Sequence, residues 1–159
     1  MYAMASTFGE PTIHAFFDDL VRCQTRLYNA LGERLRAEHG IATAQFELLR
    51  YLRDHPRSRV REVAATFAAG VGAISKMTDR LETAGWATRT PNPTDGRSSL
   101  ISLTDQGAAL VAAAERIFDQ ALAELISPTL DATQVRAAGA ALAVLRHALE
   151  DARAGLPIG

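Results

Sequence analysis

The 159-residue chain has one cysteine, one tryptophan and one lysine, and no apolar run approaching the ~18 residues that a membrane span needs. Each scarcity closes a possibility. The lone Cys23 excludes an internal disulfide and any multi-cysteine zinc site. The four histidines (His14, His39, His55 and His147) are scattered without metal-ligand spacing. There is no Gly-rich phosphate loop, and no serine or cysteine sits in a nucleophile-elbow context, so neither an enzyme nor a cofactor is expected. The first residues lack a basic, hydrophobic signal, which leads us to expect a cytoplasmic protein without a membrane partner.

What remains is ordinary for a globular chain: 48% apolar residues and 22% charged ones, enough for one core or for a small domain with appended oligomerisation helices. The net charge of −1 conceals an uneven distribution. From Arg57 to Arg97 seven bases face four acids, while the rest of the chain is net acidic. The middle is thus the basic part of a slightly acidic protein, which favours a polyanionic partner there.

That middle holds the most informative stretch, residues 70–107. Ile74, Met77 and Leu81 recur at helical spacing and predict one packing face, leaving Ser75, Lys76, Asp79 and Arg80 on the others. Gly85 ends this helix. Residues 86–90 and 98–103 then read as two strands around the turn-rich segment Pro91-Asn92-Pro93-Thr94-Asp95-Gly96, with positive-φ positions expected at Asp95-Gly96 and Arg97 at or near the tip. A helix can enter a major groove roughly 12 Å wide, while an arginine-tipped hairpin reaches the neighbouring minor groove.

Around this unit the periodicity predicts five more helices. The first runs from Pro11 to about Glu38 and is closed by Gly40; the second is capped by Thr43 and stopped at Asp54-His55-Pro56. A short helix over Val60 to Phe67 leads into a turn at Gly70. Thr104 caps a broadly apolar helix that runs to Ser127-Pro128, and Asp131 with Gln134 forms a capping box for the last helix. That makes six helices with the one at residues 72–84, and three long ones flank a unit too small to bury them all, so dimerisation is the economical arrangement.

The ordered set Ile74-Ser75-Lys76-Met77-Thr78-Asp79-Arg80-Leu81-Glu82, Gly85, Asp95-Gly96-Arg97 and Leu103-Thr104-Asp105-Gln106-Gly107 resembles the MarR family of winged helix-turn-helix regulators, most strongly over residues 60–107. The resemblance implies a mostly α fold with a small β-hairpin, a winged helix-turn-helix DNA-binding unit flanked by dimerisation helices. The corresponding division is a loose leader at 1–10, a dimerisation helix at 11–40, the DNA unit at 41–107 with its wing at about 86–103, dimerisation helices at 104–153 and a tail at 154–159. The implied function is a homodimer on a pseudo-palindromic operator in double-stranded DNA, most often a repressor, released by a small molecule or an oxidant.

Candidate DNA contacts are Ser75, Lys76 and Arg80 on the reading helix, Arg89 on the outgoing strand, and Arg97 at the tip with Asp95 holding the loop. The first turn, Gly70-Val71-Gly72-Ala73, departs from the polar residues usual in the family. Gly72 there brings backbone N–H groups close to a phosphate while removing side chains that read bases. Arg57, Arg59 and Arg61 are candidates for backbone contact only. For the effector, His14, Phe17, Tyr28, Phe46 and Tyr51 lie on helices that line the family's cleft, and suit a small aromatic or phenolic ligand. Cys23 stands between basic neighbours, as a redox thiolate requires, but falls later in its helix than the peroxide-sensing cysteine of related regulators, so a buried, inert residue is expected. Two alternatives follow: a redox-sensing regulator using Cys23, and an interaction protein that keeps the fold without specific DNA recognition.

Overall fold

The computed structural model describes residues 12–157; the leader at 1–10, Pro11 and the last two residues of the tail lie outside the described residues. Six helices and three short strands follow in the order α1 (Ile13–His39), α2 (Thr43–Asp54), β1 (Ser58–Arg59), α3 (Val60–Thr66), α4 (Val71–Thr83), β2 (Ala87–Pro91), β3 (Ser99–Leu103), α5 (Asp105–Ile126) and α6 (Ala132–Asp151). Among the described residues no helix is long and apolar enough to cross a membrane, and no cluster of His, Cys, Asp and Glu is able to hold a metal ion.

Local chemistry accounts for most of the boundaries. The Thr12 hydroxyl accepts from the Ala15 N–H to start α1, and Gly40, at φ 67°, ends it by donating to the Arg36 carbonyl. Asp131 accepts from Thr133 and Gln134, and Gln134 Oε1 accepts from the Asp131 N–H, closing a full capping box on α6. Thr43 behaves differently from the expectation. Ala42 occupies the capping position, and Thr43 is buried in the first turn of α2, donating to the Tyr28 carbonyl of α1 at 3.2 Å. A side chain at Gly32 would sit 2.7 Å from the same hydroxyl, so Thr43 serves helix packing instead of capping.

Two further differences concern the middle of the chain. The sheet has a third strand, in the order β1-β3-β2, with Ser58 opposite Ile101 and Arg59 opposite Leu100. Two residues carry no alternation to reveal a strand. In the α3–α4 turn the left-handed residue is Ala68, at φ 46°, whereas Gly70 is extended and caps α4. Holding an alanine there costs about 1 kcal/mol, and it persists because the flanking helices are anchored on both sides.

Two cores result. Leu48, Leu49, Leu52, Val63, Ala64, Ile74, Leu81, Ala87, Ile101 and Val111 form one beneath the sheet; Leu31, Leu35, Ile41, Phe46, Ala114, Phe118 and Ala121 form the other along α1 and α5. Helices α2 and α5 contribute to both, and Trp86 packs against both, which accords with a core role for this residue. At the joint, Thr104 donates its N–H to the Trp86 carbonyl and its hydroxyl to the Gly85 carbonyl, and accepts from Gly107. No residue of α6 is buried.

A Cβ at Gly107 would fall 2.0 Å from the Trp86 carbonyl oxygen, a contact that neither backbone can yield easily. Gly107→Ala should therefore destabilise the protein by about 3 kcal/mol, read as a lowered urea midpoint with an unchanged slope.

Candidate nucleic-acid interface

Helix α4 is the exposed element of the helix-turn-helix. It is fixed through Ile74, Thr78 and Leu81, all buried. Met77, expected on this face, is only half-buried; Thr78 takes the deeper position because its hydroxyl donates to the Ile74 carbonyl at 2.9 Å and so carries no unsatisfied polar group inward. The opposite face presents Gly72, Ala73, Lys76, Asp79 and Arg80 to solvent, with Ser75 half-buried beside them. A Cβ at Gly70 or Gly72 would touch nothing within 4 Å, so packing within the chain does not require glycine at either position. Among the described residues Lys76 and Arg80 enter no salt bridge.

The tip of the hairpin is built differently from the expected positive-φ turn. Neither Asp95 nor Gly96 is left-handed. Instead Asn92, 5% exposed, organises the loop: its Nδ2 donates to Ser98 Oγ at 2.9 Å, while its Oδ1 accepts from the Thr94 N–H at 3.1 Å and the Thr94 hydroxyl at 2.9 Å. Its backbone donates to the Ser98 carbonyl. Asp95 Oδ1 accepts the Arg97 N–H at 3.1 Å, and the Ser98 N–H closes back on the Asp95 carbonyl. These side-chain turns replace the glycine device, since Asn and Asp mimic a backbone carbonyl. The Arg97 side chain is exposed, and among the described residues its guanidinium is in no hydrogen bond or salt bridge. Asn92 was not singled out in the sequence, though an Asn between two prolines is the signal that would have found it.

Arg89 differs from Arg97 in being engaged. Its Nη1 pairs with Asp79 at 2.7 Å and with Glu82, and its Nη2 donates to the Ser75 carbonyl at 3.1 Å and, more weakly, to the Ser75 hydroxyl. Glu82 also accepts the Arg89 backbone N–H at 2.9 Å. Arg57, Arg59 and Arg61 are exposed around β1 and the start of α3, where the Arg59 N–H donates to Glu62.

The expected effector residues do not converge. A groove of about 680 Å³ runs between α1, α2, the base of α4 and α5, and of the five only Tyr28 lines it. Burial, and then Glu47, push the Tyr28 phenol above its ordinary pKa, so it remains a neutral donor. Phe46 lies in the core against Phe118, with ring centroids 4.8 Å apart. Tyr51 stacks on His55 at 4.3 Å and faces a second cavity, while His14 and Phe17 stand exposed near the start of α1. The rest of the lining is mostly apolar, with Leu20, Leu27, Leu31, Leu48, Ile74 and Met77 beside the rings of Phe67 and Phe118. Cys23 is exposed and lines the same groove, which overturns the expectation that it is buried.

The model for the MarR family matches residues 41–99. The multiple antibiotic resistance protein MarR of Escherichia coli (strain K12) is 34% identical over 113 residues, which span 69% of this chain and 78% of that protein. A mutant E. coli MarR complexed with operator DNA superposes with a TM-score of 0.75 at 27% identity, covering 86% of this chain and 98% of the other. A MarR family transcriptional regulator from Streptomyces coelicolor in complex with DNA gives a TM-score of 0.80, with 91% of each chain covered; at 24% identity it speaks for the fold.

Because Asn92 supplies both a donor and an acceptor to the tip, Asn92→Ala should open residues 92–98 locally, at a cost of about 1–3 kcal/mol. Amide hydrogen exchange is expected to quicken at Asp95 and Ser98 while the amides of α5 keep their protection.

Proposed function

Since the chain belongs to the MarR family of transcriptional regulators, which are DNA-binding proteins and not enzymes, we propose that it acts as a cytoplasmic homodimeric repressor on a pseudo-palindromic operator. The exposed face of α4 enters the major groove, with Ser75, Lys76 and Arg80 towards bases and phosphates and Gly72 allowing a phosphate close to the helix start. The loop at 91–98 lies over the adjacent minor groove, where Arg97 meets the negative potential and Asp95 keeps the loop in shape. The observation that carries this reading is the pairing of an uncommitted arginine with a tip already held by eight internal hydrogen bonds, so little ordering entropy is lost on binding.

Dimerisation is supported by what the chain leaves uncovered. Val135, Leu142, Leu145 and Leu149 on α6, and Ile13, Phe16, Phe17 and Val21 on α1, are exposed. Apolar surface of this extent on α1 and α6, exposed among the described residues, suits a twofold interface. The effector is a small, largely apolar aromatic or phenolic molecule in the groove whose wall includes Ile74 and Met77 at the base of the reading helix. Occupancy shifts the population between dimers whose reading heads match the operator spacing and dimers whose heads do not.

Selection of bound duplexes from a random pool at fixed, near-physiological salt should recover an inverted repeat with half-sites about one helical turn apart. If nothing is enriched and binding is only weak and steeply salt-dependent, the protein is an interaction module that has kept the fold. On the recovered operator, Arg97→Ala should weaken binding by roughly 10- to 100-fold without unfolding the protein. Unchanged affinity would sink the assignment of the wing.

A further inference from the structure

Helix α4 carries two carboxylates, Asp79 and Glu82, on an element that the reading above brings against phosphates, and one guanidinium from the wing satisfies both. The arrangement uses nearly all of the arginine's hydrogen-bonding capacity. Of its five N–H donors, Nη1 supplies the two carboxylates and Nη2 the Ser75 carbonyl and hydroxyl, leaving Nε without a partner among the described residues. Glu82 grips Arg89 at both ends, one oxygen on the backbone N–H and the other on the guanidinium. The Arg89 side chain is 21% exposed and that of Glu82 32%, so their bonds are partly withdrawn from water and hold a defined geometry, while Asp79 completes the cluster from the solvent side.

The position matters as much as the chemistry. Arg89 lies opposite Ile101 at the middle of the hairpin, two residues before Pro91, where β2 ends and the tip begins. Ser75, Asp79 and Glu82 are one helical turn or so apart along a single stripe of α4. The guanidinium therefore ties the hairpin to the length of the reading helix just below the point where the tip departs. We infer that Arg89 is a positioning residue: it fixes the angle between α4 and the wing while offsetting part of the negative charge of the two helix carboxylates, and it acts on DNA only by aiming Arg97. The inference rests on the proposed reading of α4 and the wing as DNA-contacting elements.

Simple electrostatics and the clamp give opposite signs for Glu82. Removing an acid beside DNA should raise affinity if nothing else depends on it. The clamp requires a loss, and Glu82→Ala is expected to weaken operator binding about 10-fold, since charge-assisted bonds of this kind are typically worth that much. Arg89→Lys keeps the charge but not the fork, and is expected to lose nearly as much as Arg89→Ala. The double variant should be little worse than either single one. Salt dependence of binding should keep its slope in all of them, because no phosphate contact is lost.

The variants are read on the operator recovered by selection, with thermal melting to establish that each is folded. Hydroxyl-radical cleavage reports the minor groove and methylation of guanine N7 the major groove. The clamp predicts that minor-groove protection fades in Glu82→Ala while major-groove protection persists. Equal or tighter binding by Glu82→Ala, together with a slope shallower by about one in Arg89→Ala, makes Arg89 a direct phosphate contact and overturns the inference. Parallel loss of both protections also overturns it, since a purely structural role has that signature. A wild-type protein that protects no duplex removes the DNA reading itself, and the clamp with it.

Discussion

The contact on which the rest of the structure depends is between Gly107 and the Trp86 carbonyl. The first turn of α5 approaches that peptide so closely that no side chain fits, and Thr104 fastens the approach with three hydrogen bonds. Gly85, at φ 79°, turns the chain out of α4 within the same knot. The end of the reading helix, the root of the hairpin and the start of the long helix are thereby one block. Trp86 lies between the two cores, so a shift of α5 along α1 cannot leave α4 where it was. The proposed effector response needs such a linkage, because interfaces packed at this density pass displacement on rather than absorb it.

Charge is handled locally. A chain of net charge −1 has no overall field to draw DNA, and attraction must come from particular cations kept free of internal partners. The structure divides its arginines accordingly. Arg34 and Arg53 bind α5 through Glu124 and Glu115, Arg50 pairs with Glu47 and lies over the rings of Phe46 and Phe118, and Arg89 takes up the acids of α4. Arg80 and Arg97 are left exposed without such pairs among the described residues. With lysine represented by Lys76 alone, most of the cation inventory is made of planar forks, which bind tightly where they are engaged.

Legibility of the sequence followed the range of the interactions involved. Gly40, Thr104 and the Asp131–Gln134 box act within a few residues of themselves, and all three helix boundaries read correctly. The hairpin strands and the six helices were legible for the same reason, from alternation and periodicity. What failed was set by contacts distant in sequence. Thr43 reads as a cap until Tyr28 and Gly32 of another helix reach it. β1 exists only because β3 lies alongside. The groove was misread for a related reason: helix membership alone does not reveal that Phe46 and Tyr51 point away from it, whereas Tyr28 points in. Arg89 and Arg97 are indistinguishable as letters, and only the neighbours of each separate a bound guanidinium from a free one.

The bareness of α6 has a consequence for how the protein is made. Every buried hydrophobic residue among those described lies between Leu31 and Ala121, and α6 follows them in the chain. Synthesis runs from the N-terminus at ~5–20 residues per second, so every residue of both cores is made before α6 is. Helix α6 thus follows its own chain's cores with an apolar face in search of cover. For the proposed homodimer this order favours pairing between chains translated side by side from one message over exchange with related proteins elsewhere in the cell.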